Sequence, residues 1–508
     1  MSNGNLYAAF ERCFPVDRDR SALVVPGGRT WTYAELDRES ARLASQLVAL
    51  GARPGDRITV QVQKSPEAVW LYLACLRAGL VFHPLNEAYR REEIAFLLGD
   101  AEPSVAVCDP AAEPLFRELA PATCTVRTLD NAGGGSLCNG LIDDTTFATA
   151  PCSADDIAVL LYTSGTTGQP KGAMISHGNL ASNAATLVEA WGFTAADRLL
   201  HALPIYHAHG LFVGLGCTLM SGASLHWLAR FDATEVLREF AAATVFMGVP
   251  TYYMRLLAEA DLTRERCASI RLFVSGSAPL SPEAFREFAA RTGHRILERY
   301  GMTETGMNSA NPLKGERRPG SVGPALPGVS IRIATAEDGT LPGGNVGEIQ
   351  LRGPNVFSGY WRQPEKTREA FSVDGWFRTG DQGLLDPDGY LSIVGRSKDL
   401  VISGGLNVYP REVEILLESD SRVAEAAVIG VPHPDFGEAV VAVVVPSGGA
   451  VADEAGIMAA LRGRIAGFKQ PKRVFVVSEL PRNAMAKVEK AVLRRRYAAT
   501  FDQENPTS

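Results

Sequence analysis

The densest group of chemically useful side chains lies in the ten residues 163–172, TSGTTGQPKG. This stretch holds four hydroxyls, three glycines and one lysine, and it directly follows the apolar run IAVLLY at 157–162. Glycine lets backbone N–H groups approach an anion, hydroxyls donate to phosphate oxygens, and lysine supplies positive charge. The stretch therefore predicts a phosphate-binding loop after a buried strand, in preference to a plain polar turn.

The loop differs from the phosphate loop of P-loop nucleoside triphosphatases. Their pattern GxxxxGK[ST] occurs nowhere in the chain, and its lysine would stand directly before a hydroxyl that binds Mg²⁺. Adenylate-forming chemistry is therefore favoured over P-loop chemistry.

Further motifs follow the loop in order along the chain. They are Tyr300-Gly-Met-Thr-Glu304, Thr379-Gly-Asp381, Gly395-Arg-Ser-Lys-Asp399 with Ser403-Gly-Gly405, and Pro481-Arg-Asn-Ala-Met-Ala-Lys487. This ordered set, spread over most of the chain, resembles the acyl-adenylate-forming superfamily of acyl-CoA synthetases, luciferases and peptide-synthetase adenylation domains. Within it, segments such as LPIYHAHGLFVG, LFVSGSAPL and ILERYGMTETGMNSANP resemble malonyl-CoA synthetases most closely.

The resemblance implies a two-step reaction with ATP and CoA as co-substrates. A carboxylate attacks the α-phosphorus of ATP to give an acyl-AMP and pyrophosphate, and the CoA thiolate then displaces AMP. Both reactants of the first step are anions, so charge neutralisation by Mg²⁺ and lysine is expected to be the largest catalytic contribution.

The resemblance also implies roles for individual residues. Glu304 and Thr163 would bind Mg²⁺, Asp381 would accept hydrogen bonds from the ribose, and Lys487 would bridge the carboxylate and the α-phosphate. The expected ATP and AMP contacts are Thr163, Ser164, Gly165, Thr166, Thr167, Gly168 and Lys171, then Ser277, Ala278, Pro279, Glu298, Arg299, Tyr300, Gly301, Met302 and Thr303, and finally Asp381, Arg396 and Lys487.

The C-terminal motifs imply a moving domain. Lys398 occupies the hinge position, and Ser403, Gly404 and Gly405 would leave room for the pantetheine arm of CoA. Ala486 departs from the family pattern, which usually has glycine before the catalytic lysine, so the placement of Lys487 is open. Each of these motifs has a structural alternative when it is considered alone. The aspartate of TGD could be a helix cap or a surface acid, and SGG could be a turn between strands. The basic stretch 487–496 could be a solvated helix face.

The acid substrate is indicated by residues 275–286, SGSAPLSPEAFR. Arg286, on a helix predicted to begin near Pro282, matches the arginine with which malonyl-CoA synthetases pair the distal carboxylate of malonate. A guanidinium can bind a carboxylate bidentately, whereas a fatty or aromatic acid needs an apolar pocket. The alternative is an exposed arginine paired locally with Glu283.

Two histidines and a serine complete the expected acid pocket. His207 and His209, in YHAHG, would line it together with Ser277. If the pocket has free space around C2 of malonate, methylmalonate would also bind. A zinc site at the histidines is the weaker interpretation, since no third ligand lies nearby in sequence. Another carboxylic acid, the loading of a carrier protein, and nucleotide binding without catalysis also stay open.

The elements that must position these residues follow an α/β pattern. Strand-like runs at 57–62, 104–108 and 157–162 alternate with helical patterns at 33–50 and 66–78, which is typical of layered α/β folds. From residue 322 turn signals recur every eight to twelve residues, roughly the spacing of short strands, and predict a small β-rich subdomain. We expect an AMP-binding domain at 1–395, a hinge at 396–399 and a mobile α+β domain at 400–508.

The composition of the chain limits which binding partners and which cellular compartment we expect. The 508 residues include 50 Lys and Arg against 57 Asp and Glu, a net charge of −7, which predicts no nucleic-acid or membrane partner. The eight cysteines form no CxxC pair, and the N-terminal segment lacks an export pattern, so we expect a reduced cytoplasmic enzyme. The sequence leaves monomer and homodimer open.

Overall fold

A computed structural model describes residues 3–141, 145–163, 170–396, 399–403, 406–433, 436–448, 453–462, 464–465, 467–483 and 487–501. Its helices are α1 Leu6–Cys13, α2 Tyr33–Ala49, α3 Pro66–Arg77, α4 Arg91–Ala101, α5 Glu113–Leu119, α6 His177–Ala190, α7 Leu215–Ser221, α8 Ala233–Glu239, α9 Pro250–Ala258, α10 Pro282–Thr292, α11 Pro364–Glu369, α12 Pro410–Glu418, α13 Glu454–Leu461 and α14 Lys490–Tyr497.

The strands are given in chain order. They are β1 Ser21–Val24, β2 Thr30–Thr32, β3 Arg57–Gln61, β4 Val81–Pro84, β5 Val105–Cys108, β6 Thr125–Thr128, β7 Ile157–Thr163, β8 Lys171–Ser176, β9 Arg198–His201, β10 Ser224–Trp227, β11 Val245–Gly248, β12 Leu272–Ser275, β13 Leu297–Met302, β14 Gly306–Ala310, β15 Ser330–Ala334, β16 Gly347–Arg352, β17 Gly359–Tyr360, β18 Phe377–Leu385, β19 Leu391–Arg396, β20 Val401–Ser403, β21 Leu406–Val408, β22 Val423–His433, β23 Gly437–Pro446 and β24 Arg473–Val476.

The chain divides into two compact units. The first comprises Met1–Leu280, Ala284–Ile331 and Leu351–Phe377, and the second comprises Ser281–Glu283, Arg332–Gln350 and Arg378–Ser508. The predicted layered α/β fold is confirmed, and the early strands and helices lie within a residue of their predicted ranges. The predicted boundary at residue 396 concerns a hinge and stays a prediction.

Two large sheets build the first unit. One has the order β14-β13-β12-β11-β9-β10-β1-β2, and the other the order β17-β8-β7-β4-β3-β5-β6. Most neighbouring strands are parallel, with β11 beside β12 and β12 beside β13. Because the carboxyl ends of parallel strands meet at one sheet edge, the loops after β12 and β13 are brought together there.

An aromatic core supports this edge. Phe246, Phe273 and Phe288 are buried in one cluster together with Phe285 and Tyr253, and their rings meet edge to face, as at 5.0 Å between Phe273 and Phe288. Such packing fixes β11 and β12 against α9 and α10. The loops that leave these strands therefore start from a rigid base.

The second unit contains a five-stranded sheet covered on both faces. Alternate residues of β22 enter two different cores: Val428 joins Val413 and Leu417 of α12, whereas Ile429 joins Leu493 of α14. This two-residue alternation is the period of a strand. Most residues of a second, four-stranded sheet, ordered β15-β16-β18-β19, also belong to this unit.

Membrane insertion receives no support from the helices. Among the described residues, no helix is both long and apolar enough to cross a bilayer.

Burial lowers the pKa of four histidines in the first unit. Burial lowers the pKa of His83 and His201 to about 3, lowers that of His177 to about 4, and holds that of His209 well below its usual value. The Nδ1 of His177 accepts a hydrogen bond from the Leu6 N–H at 3.1 Å, which requires a neutral ring. Unfolding exposes these rings, whose pKa then returns to about 6.5.

We predict that the free energy of unfolding falls as the pH drops below about 6.5, because the unfolded state then binds protons that the folded state excludes. The slope should approach about 1.4 kcal/mol per pH unit for each histidine. Urea midpoints at pH 7.5, 6.5 and 5.5 measure it, and His83→Gln should reduce the slope. A midpoint that is constant or rises on acidification would contradict this account.

Candidate active site

The phosphate-loop candidate joins two antiparallel strands. β7 ends at Thr163 and β8 begins at Lys171, and these residues stand opposite each other in the ladder. Five predicted loop contacts, Ser164, Gly165, Thr166, Thr167 and Gly168, lie outside the described residues. The two described ends of the loop thus lie side by side at the end of one hairpin.

Glu304 lies at this hairpin end. Its carboxylate is buried and accepts hydrogen bonds from the Thr163 hydroxyl at 3.4 Å and from the Tyr360 hydroxyl at 3.1 Å. The structure therefore brings together the two residues predicted to bind Mg²⁺. A carboxylate and a hydroxyl oxygen are ligand types that suit Mg²⁺, which usually takes few protein ligands and completes its shell with phosphates and water.

Tyr360 is a site residue that the sequence analysis missed. It lies on β17, which pairs with β8 so that Tyr360 stands opposite Ala173. The Lys171 ammonium lies 5.0 Å from the centroid of its ring. Burial and the neighbouring Glu304 raise the pKa of Tyr360 well above its usual value. Its hydroxyl therefore stays protonated and donates a hydrogen bond to Glu304.

The predicted adenine-binding segments meet at the sheet edge. Ser275 of β12 pairs with Glu298 of β13, so Ser277, Ala278 and Pro279 follow β12 beside the segment 298–303. Glu298, Arg299 and Tyr300 are buried, while Gly301, Met302 and Thr303 are half-buried. The two segments thus lie along one sheet edge, and their role toward adenine stays a prediction.

Ser277 has a strained backbone. Its φ is +73°, in the left-handed region that non-glycine residues seldom adopt, and such strain is concentrated at functional sites. Its hydroxyl lies 3.4 Å from Nδ1 of His209. The strained turn therefore directs the Ser277 hydroxyl towards His209, a residue predicted to bind the acid substrate.

The two histidines of the acid pocket differ in their surroundings. His209 is buried at the first residue of a π-helix, His209–Gly214, whereas His207 is half-buried and packs on Tyr206. Burial, with a further contribution from the positive charge of Arg299, keeps the pKa of His209 low. No group of three or more potential metal-binding side chains occurs among the described residues, which gives the zinc interpretation no support there.

Arg286 lies on the outer side of α10. The apolar residues Ala284, Phe285 and Phe288 of this helix are buried, and Arg286 is exposed. The helix begins at Pro282, as predicted. Its role toward the acid substrate stays a prediction.

The ribose candidate Asp381 lies in the second unit. It is buried on β18 opposite Arg396 of β19, and the Arg396 Nε lies 2.9 Å from the Asp381 Oδ1. This pair holds the carboxylate in one orientation within the four-stranded sheet. One carboxylate can accept hydrogen bonds at both oxygens, as two ribose hydroxyls require.

Lys487 is exposed at the end of a short hairpin of the second unit. Its N–H donates to the Asn483 Oδ1 at 3.1 Å, and its carbonyl accepts from the Asn483 N–H at 2.9 Å. Ala486 lies outside the described residues, as do Lys398, Gly404 and Gly405. Ser403 is buried on β20, opposite Leu406 and Gly437.

Comparison with known proteins identifies the family to which this fold belongs. The profile of the AMP-binding enzyme family matches residues 10–361, and that of the AMP-binding enzyme C-terminal domain matches residues 412–487. A feruloyl-CoA synthase of Amycolatopsis sp is 38% identical over 494 residues, covering 95% of this chain and 98% of the relative. A mitochondrial malonate–CoA ligase of Mus musculus is 35% identical over 538 residues, covering 96% and 90%.

A solved structure is more similar still. The ATP-bound MatB of Rhodopseudomonas palustris is 51% identical, superimposes with a TM-score of 0.96, and the match covers 98% of this chain and 100% of that one. Fold and site therefore define an enzyme that uses ATP to activate a carboxylic acid. The chain belongs to the AMP-binding enzyme family, as an acyl-adenylate-forming acid–CoA ligase.

We predict that Tyr360→Phe lowers kcat/KM for ATP about tenfold, because Glu304 loses a hydroxyl donor to its buried carboxylate. Pyrophosphate release under saturating acid measures the effect. Tyr497→Phe, which alters a tyrosine stacked on Phe475 in the second unit, is the matched control. An unchanged rate in Tyr360→Phe would remove Tyr360 from the site.

Proposed function

We propose that this ligase converts malonate, ATP and CoA into malonyl-CoA, AMP and pyrophosphate, and that methylmalonate is also accepted. The observation that carries the proposal is the polar surrounding of the predicted acid pocket: Ser277, His209 and the buried Arg299 lie together where a fatty or aromatic acid needs apolar side chains. The similarity to a malonate–CoA ligase supports the same substrate.

In the first half-reaction the malonate carboxylate attacks the α-phosphorus of ATP. Lys487 approaches both anions and offsets their repulsion, and Lys171 together with the loop after Thr163 holds the β- and γ-phosphates. Glu304 and Thr163 hold Mg²⁺, which supplies further neutralisation of phosphate charge. Asp381, oriented by Arg396, fixes the ribose, and Tyr300 packs on the adenine.

In the second half-reaction the CoA thiolate attacks the acyl carbon and AMP leaves. We assign to Lys398 the hinge about which the C-terminal domain moves between the two half-reactions. The pantetheine arm passes the turn 403–405, where two glycines leave room for it. The site closes separately for each half-reaction, and each closure keeps water away from the reactive acyl-adenylate.

A product assay tests the substrate. The enzyme is incubated with Mg-ATP, CoA and malonate, methylmalonate, acetate, octanoate or coumarate, and the thioester and nucleotide products are identified by mass spectrometry. We expect malonyl-CoA and AMP. Activity on monocarboxylates alone would support the ligase reaction and refute malonate as its substrate. Formation of an adenylate without a CoA thioester would indicate that the enzyme loads a carrier protein.

We predict that Arg286→Ala lowers kcat/KM for malonate about 100-fold and leaves ATP binding nearly intact, because one guanidinium pairs with the distal carboxylate. Glu287→Gln, an exposed neighbour on the same helix, is the control. An unchanged preference for malonate over acetate would refute this role of Arg286.

We predict that Lys487→Ala lowers pyrophosphate release at least about 100-fold, since the lysine stabilises charge in the adenylation step alone. Thioester formation from supplied malonyl-AMP should stay near the wild-type rate. Arg495→Ala, at an exposed position of the same basic stretch, removes a charge without touching the proposed role. Equal loss of both half-reactions in Lys487→Ala would contradict the assignment.

A further inference from the structure

Asp381 lies in a bend of β18 that we call the glycine bend, residues 379–381. Its central residue is Gly380, whose φ of +70° lies in the left-handed region. A Cβ on Gly380 would meet no atom within 4 Å, so the glycine is required by its backbone conformation and not by lack of space. Because glycine adopts this and other conformations about equally readily, the bend is not fixed by its own sequence. The position of Asp381 therefore depends on contacts that hold the glycine bend from outside.

The Glu348 side chain makes such a contact. It lies on β16, and its Oε1 accepts a hydrogen bond from the Gly380 N–H at 3.2 Å. The Thr379 hydroxyl donates to the Ile349 carbonyl at 2.7 Å and accepts from the Asp381 N–H at 3.0 Å. The glycine bend is thus tied to two consecutive residues of β16.

A buried amide orients the Glu348 carboxylate. The Nε2 of the fully buried Gln350 donates to the Glu348 Oε2 at 3.4 Å and to the Asp338 Oδ1 at 2.6 Å. Its Oε1 accepts from the Arg332 Nε at 2.9 Å. A rotated amide would place its donor against the arginine and its acceptor against two carboxylates, so these partners select one orientation. Gln350 therefore holds the oxygen of Glu348 that does not contact the glycine bend.

The same hydrogen bonds continue to the residue that precedes the glycine bend. The Arg378 Nε donates to the Asp338 Oδ1 at 3.0 Å. Asp338 has a φ of +65°, and a non-glycine residue keeps such a conformation only where its surroundings enforce it. The hydrogen bonds thus run from Arg378 through Asp338, Gln350 and Glu348 to Gly380, two residues further along β18.

Stability of the sheet does not by itself explain a carboxylate at position 348. Burial raises the pKa of Glu348, although the hydrogen bonds from Gln350 and Gly380 act in the opposite direction. The folded protein therefore disfavours the charged form relative to water. An apolar side chain of similar size would avoid this cost. The contact with the Gly380 N–H is what such a side chain would lose.

We propose that Glu348 is a positioning residue for the ribose of ATP, because it holds the glycine bend so that the Asp381 carboxylate meets both ribose hydroxyls. The inference rests on the proposed function, in which Asp381 binds the ribose. Arg396 fixes the direction of that carboxylate, whereas Glu348 fixes the backbone from which it projects. Loss of the contact with Gly380 should weaken only the part of ATP recognition that the ribose hydroxyls supply.

The test compares ATP with dideoxy-ATP, which lacks both ribose hydroxyls. Pyrophosphate release is measured with each nucleotide at a saturating concentration of the carboxylic acid that the product assay identifies. Glu348→Met, nearly isosteric and without an acceptor, should lower the ratio of kcat/KM for ATP to that for dideoxy-ATP about tenfold. The drop should come mainly from the KM for ATP, and kcat/KM for dideoxy-ATP should stay near the wild-type value.

Two further variants separate reach from charge. Glu348→Gln keeps an acceptor oxygen at the same distance along the side chain and should keep most of the wild-type ratio. Glu348→Asp keeps the charge but is one methylene shorter, so its ratio should fall as in Glu348→Met. Glu337→Gln alters an exposed acid of the same unit and is the control, with an unchanged ratio.

Three results would overturn the inference in different ways. If Asp381→Ala keeps the wild-type preference for ATP over dideoxy-ATP, the ribose role of Asp381 fails and the inference fails with it. If Asp381→Ala loses that preference while Glu348→Met and Glu348→Asp keep it, Glu348 alone is excluded. Equal losses with both nucleotides in Glu348→Met, together with a lower melting midpoint, would identify Glu348 as a structural residue.

Discussion

Repulsion between two anions is the constraint on which the site depends. A carboxylate must approach the α-phosphate of a triphosphate, and neither reacts unless cations offset the charge between them. The first unit places a carboxylate and a hydroxyl, Glu304 and Thr163, together with Lys171 at the end of one hairpin. The second unit carries Lys487 on an exposed hairpin. The proposed mechanism therefore draws on residues of both units.

The rigid parts of the fold explain how such charges are held. β11 and β12 pack in an aromatic core, and the turn at Ser277, which follows β12, adopts a strained φ. Strain persists only where the surrounding structure enforces it. The same edge carries the buried Arg299. The packed core therefore supports a strained turn and a buried arginine at the place where the acid is expected to bind.

The sequence predicted the layered α/β fold and a set of candidate site residues, because motifs such as YGMTE carry their chemically useful side chains in consecutive residues. Thr163 and Glu304, which the resemblance predicts to bind Mg²⁺, lie within hydrogen-bond distance of each other. Tyr360 was missed since its position depends on the pairing of β17 with β8, far apart in the chain. The exposed position of Arg286 and the burial of Arg299 depend on which face of an element is buried. This is set by tertiary packing, which the local sequence does not specify. The roles of residues 164–168 and of Lys398, which lie outside the described residues, stay predictions.

Detection of the adenylate intermediate tests the central claim most directly. The enzyme is mixed with Mg-ATP and malonate in the absence of CoA, quenched in acid, and assayed for malonyl-AMP and pyrophosphate. The account predicts a burst of about one malonyl-AMP and one pyrophosphate per active site, with conversion to malonyl-CoA only when CoA is added. Formation of ADP and phosphate, or no pyrophosphate until CoA is present, would contradict it.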